Sequence, residues 1–405
     1  MLEMRPILSA LMRNKTGAIL IALQIAFTLA VLMNAAFIVS QRVAQITRDS
    51  GMDVDNVVTA QSWAVSDDAD IKGMVDLDIA ALREIPGVIA VTASNQVPLS
   101  GGGWGDTVHN VVRGEEGRID SNAARYMVNE QGLDALGLTL YEGRAFTRED
   151  INWREPNSSV PIASVIITLA MAKELFPDLS TYVGQTLYDG LDRPMTVVGV
   201  LEQMHGAWVG WDRLDMVMLA PEKPTGSLVR YLVRVEPGTA EAMTKQVETV
   251  LTERDRGRVV RRVVPMSEYR DGSYSRDRAM AILMVVVVVM LTLITSLGIV
   301  GLASFSVAQR TRQIGTRRAV GARRMHIVRY FLVENWMITT AGVVLGTALG
   351  IACNIWLAQA YEIDRLNPLY VPVAILAIWA LGLLSVLGPA RRAATIQPAI
   401  ATRTV

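Results

Sequence analysis

Hydrophobic positions in this chain gather into long unbroken blocks. Residues 16–41 and 279–309 carry no charged side chain, nor do the stretches between Glu334 and Glu362 and between Arg365 and Arg391. Crossing roughly 30 Å of hydrocarbon takes about 20 helical residues. Each block is long enough, so the pattern predicts four transmembrane helices, over 16–41, 279–309, 327–361 and 367–390. The first follows Arg5, Arg13 and Lys15 as a cleaved signal would, but its apolar run, 17–39, is 23 residues long. The hydrophobic stretch of a signal takes about 7–15. It therefore reads as a retained span.

Ahead of that span, Met4, Ile7, Leu8, Leu11 and Met12 recur at helical spacing, with Arg5, Ser9 and Arg13 opposite. This predicts an interfacial amphipathic helix over residues 1–15, lying on the inner leaflet. The second span is 31 residues, roughly 46 Å if helical. Its excess length predicts a helix that continues out of the bilayer, and 41–48 extends the first span in the same way. Two such helices form a lever.

Residues 42–278 have a different texture. Strand-like runs lie at 88–92, 107–113, 160–167, 195–201, 215–219 and 228–235, and helix-like ones at 77–84, 168–176 and 239–254. With a last strand at 258–264, the segment ends strand–helix–strand. The prediction is a mixed α+β domain inserted between the first two spans.

Composition agrees: 51% of the 405 residues are hydrophobic and only 19% charged, the balance of a membrane protein. The 39 basic and 39 acidic side chains cancel overall but are unevenly placed. Segment 42–278 holds 25 basic and 35 acidic residues, a net of −10. The connection at 310–326 and the helix entry after it hold Arg310, Arg312, Arg317, Arg318, Arg323, Arg324 and Arg329, with no acid before Glu334. The tail, 391–405, adds Arg391, Arg392 and Arg403. Basic residues near span ends stay on the cytoplasmic side. Both termini and the arginine loop are therefore expected in the cytoplasm, and the large domain and the 362–366 turn outside. One cysteine, Cys353, excludes an internal disulfide framework, and three scattered histidines argue against a metal centre.

The cores of the spans lack Asp, Glu, Lys, Arg and His. Ion-coupled transport normally needs such groups at membrane depth, so it is disfavoured. Gln24, Thr28, Asn34, Thr292, Thr295, Ser296 and Asn354 read instead as interhelical hydrogen-bond partners. Ala18, Ala22, Ala26 and Ala30 form a small-residue stripe, as do Gly342, Gly346 and Gly350. Small residues four apart let helix backbones approach closely in lipid. Both stripes read as helix-packing faces, including packing against another copy of the chain.

The arginine loop runs Arg310-Thr311-Arg312-Gln313-Ile314-Gly315-Thr316-Arg317-Arg318-Ala319-Val320-Gly321-Ala322. It resembles the R-T-x-E-I-G-x-R-R-A-x-G-A run of the FtsX-like permeases of the MacB type, with Gln313 in place of the usual glutamate. Gly388-Pro389-Ala390-Arg391-Arg392-Ala393-Ala394 and Pro398 resemble that family's C-terminal signature. Gly143-Arg144-Ala145-Phe146-Thr147, Ala172-Lys173-Glu174-Leu175-Phe176-Pro177, Val183-Gly184-Gln185 and Thr196-Val197-Val198-Gly199-Val200 resemble its periplasmic core.

The resemblance implies a four-span α-helical membrane protein with a periplasmic domain of two subdomains, one discontinuous and one inserted. It implies the permease subunit of an ATP-driven complex of the type VII class in the bacterial inner membrane, moving periplasmic substrate. The alternatives are lipoprotein extraction and a non-transporting mechanotransmitter that regulates a cell-envelope enzyme. In that family the arginine loop is a coupling helix that docks on an ATPase. Arg310, Arg312, Ile314, Gly315, Arg317, Arg318, Ala319, Gly321 and Ala322 carry that role here, with Ile314 as the apolar point entering the partner's groove. These residues contain no G-x-x-x-x-G-K-[ST] phosphate loop. ATP and Mg are thus expected on separate ATPase subunits, and no catalytic, cofactor or metal residue is assigned. Other implied partners are a second permease, alike or related, a periplasmic adaptor with an outer-membrane channel, and the bilayer; nucleic acid is not among them. The segment His205-Gly-Ala-Trp208-Val-Gly-Trp211 reads as an aromatic contact surface or an anchored loop.

Overall fold

The computed structural model describes residues 15–66, 68–155, 160–255, 257–361 and 365–396. The amphipathic helix expected over 1–15 lies, but for Lys15, outside them. Helix α1 (Lys15–Thr47) comes first. It is followed by β1 (Val57–Ala64), α2 (Ile71–Arg83), β2 (Val88–Ser94), β3 (Gly105–His109), β4 (Asp120–Met127) and α3 (Gly132–Leu136). Next come β5 (Leu140–Gly143), β6 (Asn152–Arg154), β7 (Ser164–Thr168), α4 (Leu169–Leu175), β8 (Thr186–Asp189) and β9 (Pro194–Leu201). Then β10 (Val217–Ala220), β11 (Glu222–Pro224), β12 (Leu228–Val235), α5 (Ala240–Arg254), β13 (Arg258–Pro265) and α6 (Met266–Ser273) complete the middle of the chain. Helices α7 (Ser275–Gln309), α8 (Thr311–Ala319), α9 (Arg324–Tyr361) and α10 (Tyr370–Ala394) follow. The chain divides into a membrane unit of α1 and α7–α10 and an outer unit, Arg48–Arg276.

In the membrane unit, α1, α7, α9 and α10 are each long and apolar enough to span a bilayer. Helix α9 lies along α1 because the two small-residue stripes meet. A Cβ added at Gly342 would come within 2.8 Å of Ala22 O and Ile25, and one at Gly346 within 2.7 Å of Ala26 O. One at Gly350 would meet the Ala30 Cα at 3.2 Å. Lipid tails are as apolar as leucine, so this backbone approach, not hydrophobic burial, supplies the attraction. Gly342, Gly346 and Gly350 thus seat on Ala22, Ala26 and Ala30 of the same chain.

Polar side chains fasten the bundle. Thr28 and Thr295 share a hydrogen bond of 2.8 Å, Ser296 and Ser385 one of 2.9 Å, and the Asn34 amide donates to Gly350 O at 3.1 Å. Thr292 instead donates to Val288 O in its own helix. Asn354 accepts from the Leu366 amide, in the segment that leads into α10. Helix α7 is apolar all round and leaves Ile282, Val286, Met290, Leu293 and Leu297 exposed, as a helix bathed in lipid can.

The outer unit is built on two large sheets, with β6 and β11 pairing as a small third one. An antiparallel one has the order β13-β1-β12-β2, and its strands come from both ends of the segment. Helices α2 and α5 bury Val75, Ile79, Leu82, Val247 and Leu251 in the same core as Val58, Val91, Tyr231 and Val233 of its strands. The middle of the segment forms a seven-stranded mixed sheet, β5-β9-β7-β10-β4-β3-β8, with one core around Met171 and Leu175 of α4 and another around Tyr126 and Leu219. This is the discontinuous subdomain with a second one inserted into it. The run expected as a strand over 107–113 ends at His109, because Asn110 closes a loop to Ile119 and Gly114 and Gly117 take positive φ.

One buried ion pair holds the first sheet to its helices. Arg258 pairs with Asp78 where both side chains are sealed from solvent, Tyr231 donates to Asp78 at 2.6 Å, and Arg258 also donates to Leu251 O. Burial, with Asp78 beside it, holds the Tyr231 hydroxyl well above its usual pKa, so it stays a donor. Asp78→Ala leaves Arg258 charged and unpaired, at a cost of about 3–5 kcal/mol. Thermal unfolding of the purified chain, followed by far-ultraviolet circular dichroism, should show the loss; Asp78→Asn, which keeps an acceptor, should cost less.

Candidate coupling surface

The arginine loop folds as one short helix set against the span that follows it. Helix α7 stops at Gln309, and the Arg310 carbonyl accepts from the Ile314 amide to start α8. At the far end Gly321 takes a φ of 96°, its amide donates to Arg318 O at 3.1 Å, and the Ala322 amide donates to Arg317 O at 3.0 Å. That paired closure requires a left-handed residue, which explains the glycine. The chain then re-enters a helix at Arg324.

Three contacts lock α8 in place. Arg310 Nη1 lies 3.0 Å from Glu334 Oε2 and donates to the Tyr330 hydroxyl at 3.0 Å, tying the end of α7 to α9. The Arg317 guanidinium lies over the Tyr330 ring at 5.5 Å. Arg318 donates to Ala394 O at the end of α10, where cationic groups suit the carbonyl end of the helix. Beneath α8, Ile314 packs in the core shared by Ile327, Phe331, Ala390 and Ala393.

This geometry corrects part of the sequence reading. Ile314 and Gly315 are buried, so neither is an apolar point offered to a partner. A helix with one apolar residue per turn buries it against its own bundle when α9 and α10 supply the wall. Arg310 is committed to Glu334, and Arg318 to the end of α10. The exposed positions are Arg312, Gln313, Thr316, Arg317, Ala319, Val320 and Gly321, with Ala322 partly covered. Val320 is 84% exposed at the turn, and Met325 is 70% exposed nearby. Both were missed from sequence; a β-branched residue just ahead of a capping glycine was the available signal. Between α8 and the start of α9 runs a cavity of about 580 Å³, floored by Ile327, Tyr330 and Phe331.

The other singled-out segment is anchored rather than displayed. His205 is buried with Nε2 3.1 Å from Asp215, and Trp208 packs on the core and meets the Trp211 ring edge-on at 5.5 Å. The His205 ring beside it holds the Asp215 carboxyl below its usual pKa.

Comparison with known proteins places these units. Residues 18–250 match the MacB-like periplasmic core domain, and residues 285–398 match the FtsX-like permease C-terminal family. The macrolide export ATP-binding/permease protein MacB of Chromobacterium violaceum is 28% identical over 291 residues, covering 69% of this chain and 43% of that protein. Its namesake in Agrobacterium fabrum is 28% identical over 338 residues, 81% of this chain and 50% of the relative. The chain thus spans about half the length of the curated relatives it matches. A crystal structure of the extracellular domain of the noncanonic ABC-type transporter YknZ from Gram-positive bacteria aligns with a TM-score of 0.31 and 22% identity. It covers 50% of this chain and 99% of that one.

Proposed function

The chain belongs to the FtsX-like permeases with a MacB-like periplasmic core domain, and from that premise we propose that it is the membrane subunit of an ATP-driven inner-membrane complex. On this reading α8 faces the cytoplasm, both termini lie on that side, and the outer unit stands in the periplasm. ATP and Mg sit on an ABC ATPase that engages α8, and a second permease completes the pair. Nucleotide binding displaces α8, and the displacement drives export of a substrate already in the periplasm.

The observation that carries the proposal is the fastening of α8. A helix tied to α9 through Glu334 and Tyr330 and to α10 through Ala394 cannot move alone. A push at Val320 is therefore passed to two spans at once. Helix α1 in turn runs unbroken to Thr47, one residue before the outer unit begins. Such a transmission needs no tunnel through the bilayer.

The test is positional crosslinking in the complex co-expressed with its ABC ATPase, with Cys353→Ser as background. Val320→Cys should join the ATPase through a short bismaleimide, and the buried Ile314→Cys should not. Reaction at Ile314 with none at Val320 would overturn the assignment. Val320→Asp should reduce co-purification of the ATPase by about tenfold, because a desolvated charge at a packed contact costs about 1–3 kcal/mol.

A further inference from the structure

Within the outer unit, a cleft of about 720 Å³ opens between the two sheets. One wall comes from β3, β4 and the β8–β9 turn, the other from the junction of β11 and β12. That volume suits a small organic ligand.

The charges along the cleft are unbalanced. Arg125 pairs with Asp106 at 3.0 Å, Arg193 with Asp189 at 2.6 Å, and Arg154 with Glu222 at 3.4 Å. Arg230 also lines the cleft, yet among the described residues no carboxylate lies within ion-pair distance of it; its guanidinium donates to the Asn95 carbonyl. Partial burial draws its pKa down, which marks the charge as incompletely compensated. One buried atom of this lining, Nε of Arg125, lacks any partner among the described residues. Buried polar atoms are rarely left so unless a ligand or water completes them. At the rim, Trp104 and Leu191 are 65% and 73% exposed.

We propose that this cleft binds a small amphiphile with a carboxylate head, its anion on Arg230 and its apolar body against Trp104 and Leu191. Such a head comes from a fatty acid or from the C-terminus of a short apolar peptide. Binding of this kind needs neither nucleotide nor ATPase, so it stands or falls apart from the coupling role of α8.

The experiment is calorimetric titration of the full chain in lipid nanodiscs, corrected against empty nanodiscs, with octanoate in one arm and N-acetyl-leucyl-phenylalanine in the other. Saturable one-site binding of either probe supports the proposal and identifies the source of the head. The matching amides should bind about tenfold or more weakly, as should either acid to Arg230→Gln, since a charge-assisted hydrogen bond is lost. Arg230→Lys should retain most of the affinity. No binding of either acid, or wild-type affinity in Arg230→Gln, overturns the proposal. If Arg230→Gln fails to fold, Leu191→Asp at the exposed rim decides: weaker binding supports the site, and unchanged binding overturns it.

Discussion

Gly346→Ile should separate α9 from α1 and lower the stability of the membrane unit by about 3 kcal/mol or more. Even the first added carbon would lie 2.7 Å from Ala26 O and 2.9 Å from its Cα, and neither backbone atom can step aside. Overpacking a yielding core costs about 1–3 kcal/mol, and a seam closed by backbone yields less. The measurement is the midpoint of heat-induced loss of the monodisperse peak in detergent. Gly301→Ile supplies the control, because a side chain there meets nothing within 4 Å. If both substitutions lower the midpoint equally, the damage is to α-helix propensity and the seam is unimportant.

Arg310→Ala should be nearly as damaging, for an electrostatic reason. Glu334 is only 6% exposed, and its carboxylate would lose the guanidinium 3.0 Å away. Removing one partner of a buried ion pair costs about 3–5 kcal/mol, whereas replacing both by apolar or neutral groups is often nearly neutral. Arg310→Met with Glu334→Gln should therefore recover most of the stability that either substitution alone removes. Function should not recover with it. The double variant removes the charged tie between the end of α7 and α9 and so loosens the seat of α8. ATP hydrolysis by the assembled complex should therefore continue while transport falls. Recovery of both would mean that the pair serves stability alone.

The four spans were legible because hydrocarbon imposes a one-dimensional rule. About 20 residues without charge make a crossing helix whatever surrounds it. The alanine and glycine stripes were legible too, since spacing of four fixes them on one helix face. The outer unit was less so. Leu228–Val235 and Pro194–Leu201 are rich in branched residues and stand out as strands. Val57–Ala64 does not, although it is the strand between β13 and β12. Buried along most of its length, it has no polar alternation, and it holds threonine, serine and glutamine because hydrogen bonds satisfy them. Thr59 donates to Val264 O, and Gln61 to the Tyr269 hydroxyl.

The sequence by itself determined the spans, the inserted α+β domain and the basic turn, each of which is set by local composition and period. Only the tertiary structure decided which residues of that turn are spent internally and which remain free. Ile314 and Val320 are both branched and apolar, six positions apart. On a short helix they fall on different faces, one against Ile327 and Phe331, the other into the open. Which face is which depends on where α9 and α10 pack. The same holds for Arg230: its charge is written in the chain, but that no carboxylate among the described residues pairs with it depends on the tertiary fold.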